Sequence, residues 1–182
     1  MSQTPTPRQA APELAVETLD NGSWNLTEQN PENFTLVIFY RGLHCPVCKD
    51  YLQTLTELES KFGERGVKVM AVSMDSEDRA REAQEEWGFE GFPLGYGLSK
   101  EAAADWGLYL SAGISDAEPE LFSEPGLFLV RPDGELFYGA INSMPFGRPH
   151  LPTMLKSLDF VLENDYPARG EVIDANNQSP IC

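Results

Sequence analysis

The sequence predicts an α/β fold in which a central mixed β-sheet is flanked by helices and preceded by an N-terminal β-hairpin. Three observations carry this expectation. Phe34-Thr35-Leu36-Val37-Ile38-Phe39-Tyr40 is a nearly unbroken β-favouring apolar run, as expected of a strand covered on both faces. Tyr51, Leu52, Leu55, Leu58 and Phe62 then recur at helical spacing, and Val67-Lys68-Val69-Met70-Ala71-Val72 forms a second buried strand. Strand, helix and strand in succession make a βαβ unit, with parallel strands and a right-handed crossover.

The remaining elements follow in chain order. Leu14 to Leu19 alternates, Asp20-Asn21-Gly22 turns and Ser23-Trp24-Asn25-Leu26 returns, giving the hairpin. The helix between the two buried strands runs from Pro46 to Phe62, with Gly63 and Gly66 bracketing its end. Asp75 and Ser76 can cap a second helix that carries Glu77 and Asp78 in its first turn and ends near Trp87-Gly88. Ser99 caps a short helix, Lys100 to Trp106, and Ser111 to Glu124 reads as an irregular insertion. Gly126 to Val130, the turn Arg131-Pro132-Asp133-Gly134 and Glu135 to Ile141 make a second hairpin. An amphipathic helix from Pro152 to Asn164 closes the series, with Met154, Leu155, Leu158, Val161 and Leu162 on its apolar side. Trp87 and Trp106 read as packing residues. The order βαβ, helix, ββα is that of a thioredoxin-like fold. One domain is expected over residues 13–172, between a proline-bearing tail at 1–12 and a polar tail at 173–182 that holds Cys182.

Composition narrows the function. The 182 residues include 29 acidic and 13 basic side chains, a net charge of −16, which repels nucleic acid and anionic membranes. No run approaches the ~20 apolar residues of a membrane span, and Met1 to Pro12 does not read as a secretory signal, so a cytoplasmic location is expected. In that reducing setting a closely spaced cysteine pair reads as catalytic or metal-binding rather than as a staple.

Cys45-Pro46-Val47-Cys48 is such a pair, placed at a helix start. Cysteines one helical turn apart can meet the ~4.4–6.8 Å Cα separation of a disulfide. Cys45 is expected at the N-terminus, where free backbone N–H groups and the helix dipole favour a thiolate, which makes it the expected nucleophile. Pro46 suits the first turn because its missing N–H is not needed there. Arg41 and His44 stand close enough in sequence to tune the thiolate. Zinc would need four ligands where the chain offers one pair, Cys182 and the separated His44 and His150. Covalent haem would need a histidine at Lys49. A Cu(I) carrier is the non-enzymatic alternative.

With the pair placed, the chain resembles the peroxiredoxin-like proteins of the alkyl hydroperoxide reductase and thiol-specific antioxidant superfamily. Four segments carry the resemblance: Phe39 to Cys48, Ala71-Val72-Ser73-Met74-Asp75-Ser76, Phe92-Pro93-Leu94, and Phe128 to Gly134. The family motif Pro-x-x-x-Thr-x-x-Cys places Arg41 at the proline, Cys45 at the threonine and Cys48 at the peroxidatic cysteine. The family's arginine before the Phe-Leu-Val strand is replaced by Pro125, which instead resembles the cis-proline facing the cysteine pair of thioredoxins. A cis Pro125 would leave the Glu124 backbone free for a substrate chain. Arg148, in the loop after the last strand, is the candidate to replace the missing arginine.

Two activities follow. The departures from the motif favour thiol–disulfide exchange, with Cys45 attacking and Cys48 resolving. The alternative is a thiol-dependent peroxidase with Cys48 as the peroxidatic cysteine. Both need no cofactor beyond an external thiol donor such as thioredoxin or glutathione. Both act on an oxidised thiol, disulfide or hydroperoxide and are compatible with a homodimer.

Overall fold

The structure is a computed structural model that describes residues 4–20 and 22–172. Seven strands form one sheet in the order β2-β1-β5-β4-β3-β8-β9. They are β1 (Ala15–Thr18), β2 (Gly22–Asn25), β3 (Phe34–Phe39), β4 (Val67–Val72), β5 (Leu94–Tyr96), β8 (Gly126–Val130) and β9 (Leu136–Ile141). β3 runs parallel to β4 and antiparallel to β8, so the strand that feeds the cysteines is held from both sides. The helices are α1 (Pro46–Gly63), α2 (Glu77–Trp87), α3 (Lys100–Asp105) and α4 (Leu151–Asn164). This is the mixed sheet with flanking helices that the sequence predicts.

The period-two geometry of β3 divides the core. Leu36, Ile38 and Tyr40 face Leu52 and Leu55 of α1 and Leu155 and Leu158 of α4. Val37 and Phe39 face the opposite way, onto Met70, Trp106 and Phe128. Phe39, Trp106 and Phe128 interlock with ring centroids 4.8–5.8 Å apart. Both Trp87 and Trp106 are core residues. Among the described residues no helix is long and apolar enough to cross a membrane.

Four sequence expectations change. Ser111 to Glu124 is not irregular throughout: β6 (Leu110–Ala112) and β7 (Leu121–Ser123) pair antiparallel as a separate ribbon, and Phe122 is buried. Strands of three residues are too short to show a period. Residues 4–12, read as part of a loose tail, are tied down. Arg8 N and Leu136 N exchange bonds with Leu136 O and Gln9 O, and Ala10 bridges Glu135. Only Ser76 caps α2; Asp75 turns elsewhere. The short third helix stops at Asp105, one residue before Trp106. Asn21 and Cys182 lie outside the described residues.

Leu55 lies wholly inside the α1 contact with the sheet. Leu55→Ala is expected to lose about 2–5 kcal/mol of stability through transfer and cavity terms, seen as a lower urea midpoint at an unchanged slope.

Candidate active site

β3 ends at Phe39, and six residues later Cys45 stands at the N-cap of α1 with extended dihedrals, φ −106 and ψ 100. Its Sγ accepts the Cys48 N–H at 3.2 Å, in the way a capping oxygen would. Pro46 opens the helix, as its missing donor allows. Cys48 lies in the first turn, and both cysteines are free thiols with no solvent-exposed surface.

The loop between β9 and α4 folds back over this turn. Arg148 Nη1 lies 3.7 Å from Cys48 Sγ, and Nη2 donates to Val47 O at 2.8 Å. The same guanidinium lies 4.2 Å from the centroid of the Tyr51 ring, whose hydroxyl donates to Pro149 O at 2.6 Å. Arg148 is therefore held by three contacts, and it reaches the sulfur across 100 residues of sequence.

Arg41, in the turn between β3 and α1, is held by acidic and aromatic side chains. Its Nε lies 3.2 Å from Glu124 Oε2 and its Nη2 3.7 Å from Glu118 Oε1, and its guanidinium sits 4.6 Å from the Phe122 centroid. Glu124 is itself buried and accepts from Ser111 Oγ at 2.7 Å. The β6–β7 ribbon thus supplies the carboxylates that neutralise Arg41. His44 packs on Phe122 at 4.6 Å, and neither ring nitrogen meets a hydrogen-bond partner among the described residues. Burial, then Arg41, holds the His44 imidazole below its usual pKa.

The two thiols divide one charge. The hydrogen bond from the Cys48 side chain lowers Cys45 to about 6 against the effect of burial, helped by the Cys48 N–H, Arg148 and Arg41. Burial, followed by the hydrogen bond and charge of Cys45, pushes Cys48 up; Arg148 and the Arg41 backbone N–H oppose that rise. The low apparent pKa belongs to the pair, whose sulfurs share a proton. Their mutual hydrogen bond favours ionisation of Cys45 over that of Cys48.

The expectation for Pro125 is corrected. No cis peptide bond occurs among the described residues, so the Glu124–Pro125 bond is trans. The Glu124 N–H is taken by Tyr109 O at 2.8 Å, and Pro125 O accepts from Asn142 N at 2.9 Å. Held by neighbouring chain on both sides, this segment offers no free Glu124 amide to a substrate chain. From the sequence, Glu124 is named only for its backbone, and no site role is assigned to Glu118, Phe122 or Tyr51. Of these, only Tyr51 gives a sequence signal, one helical turn after Cys48.

The sheet and its flanking helices, with a buried cysteine pair at the start of the helix after the central strand, form a thioredoxin-like fold. The sequence model of the AhpC/TSA family matches residues 7–138, and the chain belongs to that family. It is 30% identical over 164 residues to peroxiredoxin tpx1 of Schizosaccharomyces pombe, covering 85% of this chain and 73% of that protein. It is 24% identical over 151 residues to the putative peroxiredoxin ycf42 of Trieres chinensis, covering 79% and 70%. Its fold is similar to that of the reduced 2-Cys peroxiredoxin of Plasmodium vivax, with TM-score 0.72, 21% identity and coverage of 88% and 83%. It is also similar to AhpC of Mycobacterium tuberculosis, with TM-score 0.71, 17% identity and coverage of 97% and 100%. The protein is an oxidoreductase of the thiol peroxidase class.

Thiolate absorbance of the reduced protein should titrate with an apparent pKa of about 6. Arg148→Met should raise that value, because a cation beside the pair favours its ionised form. An unchanged titration would show that Arg148 does not act on the sulfurs.

Proposed function

We propose that the protein is a thiol-dependent peroxidase in which Cys48 attacks a hydroperoxide and Cys45 resolves the product. The observation that carries this reading is the convergence on Cys48 Sγ of the Arg148 guanidinium at 3.7 Å and a Cys45 thiolate one hydrogen bond away. Family membership supports the same assignment, since Cys48 stands at the motif's peroxidatic position. Burial of both sulfurs favours a small oxidant over a protein disulfide, and the trans Pro125 segment removes a support for thiol–disulfide exchange.

The chemistry closes on the residues present. The Cys48 proton passes to Cys45, leaving the charge on Cys48 beside Arg148. Cys48 Sγ attacks the peroxide: an S–O bond forms, the O–O bond breaks, and the leaving alkoxide takes the proton from Cys45. Cys48 is then a sulfenic acid and Cys45 a thiolate again. Cys45 attacks the Cys48 sulfur, the S–S bond forms, and hydroxide leaves to become water with a proton from solvent. Two electrons pass from the thiols to the peroxide, giving an alcohol, or water from hydrogen peroxide. Arg148 offsets charge on Cys48 and at the departing oxygen, the role that preorganised donors serve elsewhere at ~2.7–4 kcal/mol each. An external thiol such as thioredoxin or glutathione reduces the disulfide. No further cofactor enters the cycle, and a reducing compartment such as the cytoplasm suits it.

Serine variants separate the two cysteines. Cys45→Ser should consume about one equivalent of peroxide in a fast phase and then stop. Cys48→Ser should lose the fast phase by at least a hundredfold, measured by stopped-flow with hydrogen peroxide and an alkyl hydroperoxide. The reverse pattern, with the fast phase lost only in Cys45→Ser, would make Cys45 the attacking sulfur.

A further inference from the structure

Arg41 stands in the turn that must carry the chain from β3 to the N-cap of α1. That turn is gripped by a residue outside the site. Leu43 N donates to Asp75 Oδ2 at 2.7 Å, and the Gly42 carbonyl accepts the Cys45 N–H at 3.1 Å. Gly42 takes φ +125, where side chains are disfavoured, and a Cβ there would stand 2.6 Å from the Asp75 carboxylate. Backbone and carboxylate are in as close an approach as glycine permits.

Asp75 is built for this position. It follows β4, its side chain is fully shielded from solvent, and its other oxygen is bound by Arg79 Nε at 3.0 Å. Its own backbone is fixed by Ser73 Oγ at 3.2 Å and by Gly97 N at 2.8 Å. Burying a carboxylate is costly even when paired, and helix capping does not account for it, because Ser76 caps α2. What the buried carboxylate holds is the Gly42–Leu43 turn.

We propose that Asp75 is a positioning residue for the cysteine pair: by holding the Leu43 amide it fixes the turn that carries Arg41 and places Cys45 at the N-cap. The proposal rests on the peroxidase reading only where peroxide kinetics are its readout. The charged and titratable groups around the turn and the pair are Arg41, Arg148, Arg79, Tyr40, His44, Glu118 and Glu124.

The sign of one titration separates positioning from plain electrostatics. Removing a negative charge near a thiol lowers its pKa, whereas loosening the turn withdraws the Cys45 cap and the Arg41 contacts, which raises it. Asp75→Ala removes charge and acceptor together; Asp75→Asn keeps an oxygen for Leu43 N without the charge. Gly42→Ala changes no charge but drives the turn off Asp75. Thiolate absorbance against pH, with melting temperature as a check on folding, is the measurement. Asp75→Ala and Gly42→Ala should each raise the apparent pKa by about one, a tenfold loss of ionised pair below pH 6. Asp75→Asn should stay at or below the wild-type value. A lower pKa in Asp75→Ala would reduce Asp75 to a distant charge, and an unchanged pKa with a lower melting temperature would make it merely structural; either overturns the proposal. If Asp75→Ala does not fold, Gly42→Ala decides alone, an unchanged pKa again being the contrary result. Peroxide consumption is followed on the same samples. A wild type that titrates as described but consumes no peroxide would refute the peroxidase reading and leave the positioning role standing.

Discussion

One negative charge shared by two buried sulfurs at the N-terminus of α1 governs how the site is built. An anion away from water is tolerated only where donors and cations replace the lost hydration. Here the Cys48 N–H caps the Cys45 sulfur, the Arg148 guanidinium lies 3.7 Å from Cys48 Sγ, and Arg41 favours the ionised form of the pair. Each guanidinium needs partners of its own. Arg148 finds a carbonyl and the Tyr51 ring, while Arg41 finds Glu118, Glu124 and the Phe122 ring. The β6–β7 ribbon and the 142–150 loop are fitted to the pair by these requirements.

The sheet supplies the rigidity that such an arrangement needs. β3 is paired along its length with β4 and with β8, and side chains from both of its faces are buried in the two halves of the core. A strand fixed on four sides delivers its C-terminal end to a defined point, and the turn from Arg41 to His44 starts there. Asp75, arriving from β4, grips that turn from the neighbouring strand of the same unit. The βαβ unit therefore positions the thiols twice, once through α1 and once through the loop after β4.

Much of this was legible in the sequence, for identifiable reasons. Long apolar runs reveal β3 and β4, the 3.6 period reveals α1 and α4, and the cysteine spacing beside a proline reveals the helix start. The three-residue strands β5, β6 and β7 carry no readable period, and only pairing partners define them. The position of Pro125 in the sequence does not show that Tyr109 and Asn142 bond the backbone around it. Capping is a local signal and suggests Asp75 as a cap, whereas its carboxylate holds Leu43 N, 32 residues away. Arg148 could be suspected from its place after the last strand, but its contact with Cys48 emerges only once α4 packs on α1. The threonine-to-cysteine change at position 45 was read as pointing toward thiol–disulfide exchange. The family relationship fits the peroxidase alternative better.

The most direct test of the account is to oxidise the reduced protein with one equivalent of hydroperoxide and map the product by peptide mass spectrometry. The account predicts loss of two thiols and a Cys45–Cys48 cross-link. Cys48 carried on to sulfinic acid while Cys45 remains a free thiol would contradict it.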